Sequence, residues 1–404
     1  MVNYVFLSVY FYSVPNLRFS NPYKLRKVRL GDICTITGGY AFDSHKMKQQ
    51  GEYQIIKMGN LYNGIFDLSR NQSFINAPTK KELEYLIQKN DILITLTGTT
   101  NKKDYGYTVQ IEKPKKLLLN QRCALIRASK VNEKYLFYLL NSNDFLKQFY
   151  ASSTGGTGNQ TNVSINDMLD FKVYISNEND QLKISNILNA LDKKISTQIK
   201  IIDDLILQKK YIIYSLLEAI QDNEKIMLKD LLFDYNVKTT INNEYPVLSS
   251  TASGMYLQTE YFNKEAASDN TTGYKIIPRG YCTYRSMSDT GLFTFNIQNL
   301  VEKGIVSPAY PVFSANNYSN EFIILYLNNA SYIKKQILEL KSGGTRFALP
   351  FSKLGTLKIP KLEKEKQLSF IKTITAFERK IKNEEKILND LHKQKNYLLN
   401  NMFI

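Results

Sequence analysis

Tryptophan is absent from the 404 residues, histidine occurs twice (His45, His392), and cysteine three times (Cys34, Cys123, Cys282). These residues are scattered along the chain, which excludes a disulfide framework and a Cys/His metal cluster, so no metal ligands are assigned and a reducing, cytoplasmic setting is expected. No window reaches the ~20 apolar residues needed to span a bilayer, so no membrane partner is expected. The first 14 residues, MVNYVFLSVYFYSV, are apolar but lack a basic leader and a small-residue cleavage site, and Pro15 ends them. They read as a sheet-edge or core-covering segment, or as an upstream extension (1–15) that need not fold, rather than as a signal peptide.

Acidic side chains are in deficit: 37 Asp and Glu face 53 Lys and Arg, a net charge of +16, so the simplest partner is a polyanion. The excess is uneven. Residues 16–165 carry 22 basic and 11 acidic side chains and residues 353–404 carry 12 and 6, whereas residues 221–352 balance at 12 and 12. A second globular region built on neutral sequence has to recognise nucleic acid mainly through polar and aromatic groups.

Catalytic motifs are missing as well. The nearest approach to GxxxxGK[ST], GNLYNGIF (59–66), ends in Ile-Phe where Lys-Ser/Thr must hold phosphate and magnesium. No Pro-Pro occurs, so the Asn/Asp-Pro-Pro-Tyr/Phe tetrapeptide of an amino-methyltransferase is absent. GGTG (155–158) does not follow a strand and open a helix as a dinucleotide loop must. The Glu-x-Lys strings at 339–341 and 384–386 lie in helical patterns, where they decorate a solvated face. No catalytic residue is assigned, and no cofactor is expected in this chain.

What is present is an internal repeat. At an offset of 186, residues 181–211 lie over 367–397, with identities including Gln181/Gln367, Leu182/Leu368, Lys194/Lys380, Ile201/Ile387, Lys209/Lys395 and Tyr211/Tyr397. FYLLN (137–141) matches LYLN (325–328), and TGGT (154–157) matches SGGT (342–345). The chain is a tandem of two variable globular regions, each followed by a long helix. Divisions follow at 16–177, 178–220, 221–360 and 361–404.

In the helices, apolar residues recur at steps of three and four. Leu188, Leu191, Ile195, Ile202, Leu205 and Ile212 mark the central seam, and Ile374, Phe377, Ile381, Leu388, Leu391 and Leu398 the C-terminal one. Both seams are interrupted at equivalent places, by Gln198/Glu384 and Lys209/Lys395, and the spacing predicts that the two seams pack on each other. The globular regions read as mixed α and β: DILITLTG (91–98), ALIRA (124–128), EYPVLSS (244–250), GYCTYRS (280–286) and FIILYL (322–327) contain β-branched and aromatic runs. FIILYL leads into a helical stretch, and its repeat counterpart KYLFYLL reads as helix.

The loops after the strands, TGTTNKKDYGY (97–107) and RSMSDTGLF (285–293), combine donors, acceptors and aromatic surface. Candidate DNA contacts are Asn101, Lys102, Lys103, Tyr105 and Tyr107 in the first, and Arg285, Ser286, Ser288 and Phe293 in the second. The glycine loops add Gly155, Gly156 and Thr157, then Gly343, Gly344, Thr345 and Arg346, as places for close backbone approach to phosphate, or as hinges between domain and helix.

The layout resembles the specificity subunit of type I restriction-modification systems. VRLGDICTITGG (28–39), KNDILITLTG (89–98), SGGTRFALPFSKLGTLKIPKLEKEKQ (342–367), LDKKI/FERKI at the helix starts and LILQKKY (205–211) carry the resemblance, which covers residues 16–404. One departure is that Pro360 leads into the second helix, whereas the first is preceded by YISNENDQ. The resemblance implies an α+β fold: two mixed α/β target-recognition domains in tandem, each followed by a long helix, the helices packing as an antiparallel coiled coil. It further implies a non-catalytic subunit reading a bipartite site in double-stranded DNA, one half per domain. Two methyltransferase subunits, carrying S-adenosylmethionine, and restriction translocase-nuclease subunits, using ATP and Mg, would be its partners. A coiled-coil scaffold, or the specificity subunit of another methyltransferase-nuclease system, is the alternative.

Overall fold

The computed structural model describes residues 25–155, 160–261, 270–340 and 347–403, so the apolar extension 1–15 lies outside the described residues. The chain forms two compact units, one comprising residues 1–198 with 387–404 and the other residues 199–386. The C-terminal end thus closes the first unit, not the second.

The first unit is built on an antiparallel four-stranded sheet in the order Cys34–Gly38, Cys123–Ala128, Ile92–Thr95, Thr108–Gln110. Its central strand ILIT is buried at every position, as expected for a strand covered on both faces. Across it the Arg127 guanidinium grips the buried Asp91 carboxylate with two hydrogen bonds, of 2.7 and 3.0 Å. Helices Glu133–Leu139 and Asn143–Ala151, capped by Asn132 and Ser142, cover the sheet and place Tyr135, Tyr138, Phe145 and Phe149 in the core.

The second unit repeats this order with Leu232–Asp234, Val312–Ala315, Cys282–Tyr284 and Phe295–Ile297. Its helix pair is Asn320–Asn329 and Ser331–Glu339. FIILYL is therefore helix, not strand: Ser319 caps it, its hydroxyl accepting from the Phe322 N–H, and Phe322, Ile323, Tyr326 and Leu327 form an i, i+1, i+4, i+5 buried stripe that alternation does not explain. The units share one further pairing each, Arg26–Arg29 with Lys172–Ile175 and Lys225–Met227 with Lys358–Pro360.

The central helix Glu178–Glu218 and the C-terminal helix Lys364–Met402 pack antiparallel. In the first unit Leu188, Leu191 and Ile195 meet Leu388, Leu391, Leu398, Leu399 and Met402 in one core, and Phe403 sets its ring 5.1 Å from Tyr135. In the second, Ile213, Leu217 and Ile374 are buried, with Ile212 and Ile371 half-buried beside them. Ile202 and Leu205 are buried, and Phe377 and Ile381 half-buried. The buried stripe thus passes from Ile212 to Ile213 near the end of the central helix, the drift expected when 3.6 residues per turn meet a seven-residue repeat.

Each long helix is tied to its unit by the glutamine at its head. Buried Gln181 accepts from the Asn132 N–H (2.9 Å) and donates to the Ser176 carbonyl (2.9 Å). Buried Gln367 accepts from the Ser319 N–H (2.9 Å) and donates to the Leu362 carbonyl (2.8 Å). Both acceptor contacts go to the N-cap residue of the domain helix, so the same clamp is built twice.

Candidate nucleic-acid interface

In the first unit Thr97–Thr99 pairs with Gln160–Asn162, which pairs with Thr154–Gly155. This small sheet brings the 97–107 loop beside the glycine loop. Gly155 is exposed, and a Cβ added there would meet nothing within 4 Å, so its backbone is open to a ligand without glycine being required for packing. Gly156 and Thr157 lie outside the described residues.

Asp104 shapes the loop by accepting from the Thr99 N–H (2.6 Å) and the Thr99 hydroxyl (2.7 Å). These bonds, the backbone one foremost, hold its carboxyl below the usual carboxylate range, helped by Lys102. The turn puts Asn101 and Lys103 in the left-handed region (φ 66° and 50°) and leaves Asn101, Lys102 and Lys103 exposed. Lys103 Nζ lies 5.3 Å from the centre of the Tyr150 ring. Gly98 is required here, because a Cβ would come within 2.4 Å of the Tyr105 ring.

Tyr105 is not a surface contact. It is 3% exposed and belongs to the core, its ring against Phe149 and Tyr150 and its carbonyl accepting from the Tyr150 hydroxyl at 3.0 Å. Tyr107 is half-buried, with its ring edge-to-face on Tyr62 at 5.7 Å, and the Arg70 guanidinium lies 5.4 Å from the Tyr62 ring. Burial, with Tyr62 and Asp104 nearby, raises the Tyr107 phenol, keeping it a hydrogen-bond donor at neutral pH. Tyr62 and Arg70 were not singled out by the sequence. Their signal, an exposed aromatic followed by a cation in LYNGIFDLSR (61–70), begins in the segment that fails as a phosphate loop and ends just beyond it.

In the second unit Met287–Ser288 pairs with Phe347–Ala348, again bringing the post-strand loop beside the chain that follows the glycine loop. Gly343, Gly344, Thr345 and Arg346 lie outside the described residues. The loop edges a groove of about 460 Å³ whose other wall is Ser249–Ala252. Ser286 and Ser288 are engaged within the fold: the Ser286 hydroxyl anchors the loop by donating to the Ala309 carbonyl (2.9 Å), and Ser288 Oγ accepts from the Thr290 and Gly291 N–H groups. Phe293 is half-buried with its ring 6.5 Å from Tyr284. Arg285 is exposed and lines the groove.

The three cysteines are free and buried, and burial pushes the Cys34 and Cys123 thiols up to about 12, too high for nucleophilic work at neutral pH. Among the described residues no cluster of three or more His, Cys, Asp or Glu could hold a metal, and no helix is long and apolar enough to cross a membrane.

Two mixed α/β units of the same strand order, each joined to the long helices and each carrying a loop after its sheet strand, define a tandem duplicated fold. Residues 22–205 match the family described as the type I restriction modification DNA specificity domain. Over 96% of its length the chain is similar to the type I restriction-modification system S subunit from M. genitalium, with 99% of that chain covered, 17% identity and a TM-score of 0.54. Over 94% it is similar to a chain from a structure on complex assembly and conformational transition of the type I R-M system, with 98% of that chain covered, 13% identity and a TM-score of 0.58. A comparison with curated proteins found no match. The resemblance to type I specificity subunits is thereby borne out, and with it the tandem α+β fold.

Proposed function

We propose that this chain is the non-catalytic DNA-reading subunit of a type I restriction-modification complex, each unit reading one half of a bipartite duplex site. One observation carries the reading: the same framework is built twice, down to the Gln181 and Gln367 clamps, while the loops it presents differ in chemistry. One loop offers Lys102, Lys103 and the half-buried Tyr107, and the other offers Arg285 with the apolar Met287 and Leu292. A common frame with unlike reading surfaces is what two unlike half-sites require.

Partner docking has support on the helices. In each unit one Leu, one Ile and one Tyr related by the repeat stay exposed: Leu182, Ile387 and Tyr397 in the first, Leu368, Ile201 and Tyr211 in the second. Equivalent exposed apolar sets suit two copies of one partner, the methyltransferase subunit, which would bring S-adenosylmethionine. A translocase-nuclease would bring ATP and Mg, and the complex would work in the cytoplasm.

The test is a binding selection from randomised duplex DNA with the full chain, alone and together with methyltransferase subunits. Two fixed sequence blocks separated by an unread spacer are expected. Binding without sequence preference, or tight helix-mediated protein assembly with no DNA binding, would instead favour a coiled-coil scaffold.

A further inference from the structure

We propose that Arg285 reads a guanine in the major groove, setting one base of the half-site assigned to the second unit. The inference rests on the DNA-reading function proposed above and names what one side chain in it recognises.

The groove beside Arg285 is held in shape by hydrogen bonds on both of its sides. Buried Asn296 donates to the Ser250 hydroxyl (2.8 Å) and to the Thr251 carbonyl (2.9 Å), fixing one side. On the other side Ser286 is anchored to Ala309 and Ser288 closes the turn through Gly291. Among the described residues that line the groove, Arg285 is the one cation, and it makes no ion pair, hydrogen bond or ring contact with any described residue. A guanidinium presents donors in a flat fork, which fits an occupant with two acceptors side by side. Guanine O6 and N7 form such a pair, and so do two oxygens of a phosphate.

The remaining lining decides between them. Exposed Met287 and Leu292 give the rim apolar surface suited to base edges and thymine methyls, not to the charged backbone. The balanced charge of residues 221–352 points the same way, since this unit has little cationic surface to spend on phosphates.

The experiment is the binding selection repeated with Arg285→Ala and Arg285→Gln chains in the same complex, with melting temperatures measured alongside. Because Arg285 is exposed, both variants should melt with the wild type. Wild type is expected to select guanine at one fixed position. Arg285→Ala should lose that preference by roughly 5- to 150-fold and keep the other positions. Arg285→Gln should move the position toward adenine, whose N6 and N7 a glutamine amide matches. A uniform loss of affinity with a shallower salt dependence would make Arg285 a phosphate contact and overturn the proposal. So would an unchanged motif, which leaves sequence reading by the chain intact. A wild-type chain with no sequence preference would overturn the DNA-reading function itself, and this assignment with it.

Discussion

Lys395 Nζ lies 2.6 Å from Asp192 Oδ1, and the same bond recurs at 3.0 Å between Lys209 and Glu378. Asp192 and Glu378 are 186 residues apart, as are Lys209 and Lys395, so the second pair is the first with the helices exchanging roles. A polar interruption of the seam, visible in the sequence only as a lysine where a leucine would fit, is a repeated ion pair that fixes antiparallel register. The Tyr138 hydroxyl donates to the other oxygen of Asp192 at 2.8 Å, and burial together with this carboxylate raises the phenol far above its usual range.

Replacing Asp192 with Ala should therefore cost about 1–3 kcal/mol, because it strands a buried phenol as well as Lys395. Tyr138→Phe alone should cost about 1 kcal/mol. Denaturant melts of the two single variants and the double variant form a cycle, and coupling near zero would show that the bond contributes nothing.

The glutamine clamps should be equally costly to remove. Gln181→Leu or Gln367→Leu leaves a buried cap N–H without its acceptor, for an expected loss of about 1–3 kcal/mol each. Hydrogen exchange at Asn132 or Ser319 should rise in the matching unit. Equal protection in both variants and the wild type would contradict the clamp.

For the first unit, Lys102→Ala with Lys103→Ala should weaken binding to all sequences and lower the salt slope by roughly 0.9 for each phosphate no longer neutralised. Tyr62→Ala should instead change base preference, since it removes the support under Tyr107. Salt titrations on matched and mismatched duplexes separate the two. A lysine variant that alters one base preference and keeps the slope would reverse these roles.

Asp104→Ala sets charge against shape. Losing a carboxylate near Lys102 favours DNA electrostatically, yet the loop loses both bonds to Thr99. Weaker binding is expected, measured at fixed salt, and stronger binding would show that the turn is not needed. The folded carboxyl is held below its unfolded value, so the restraint is complete above the ordinary carboxylate range and is lost only as the pH falls through the lower folded value.

The repeat made the tandem frame legible, because a seven-residue seam and a duplicated glutamine are periodic signals. Which side chains reach the surface was not legible, since that depends on neighbours distant in sequence. Tyr105 and Tyr107 are two residues apart in one loop, yet the first is swallowed by Phe149 and Tyr150 while the second is shared with Tyr62. Ser286 and Ser288 carry the right chemistry for base edges, but folding engages both, Ser286 with the Ala309 carbonyl and Ser288 with the turn of its own loop. In FIILYL, β-branched composition suggested a strand, and the Ser319 cap and the stripe facing the core made it a helix.

The central claim is that each unit reads its own half-site. Exchanging residues 221–352 for the matching region of a relative, followed by methylome sequencing of the host with its methyltransferase partner, tests this most directly. The expected result is a methylated bipartite motif in which one half changes and the other is retained. A motif altered in both halves, or unaltered in a folded and active complex, would contradict it.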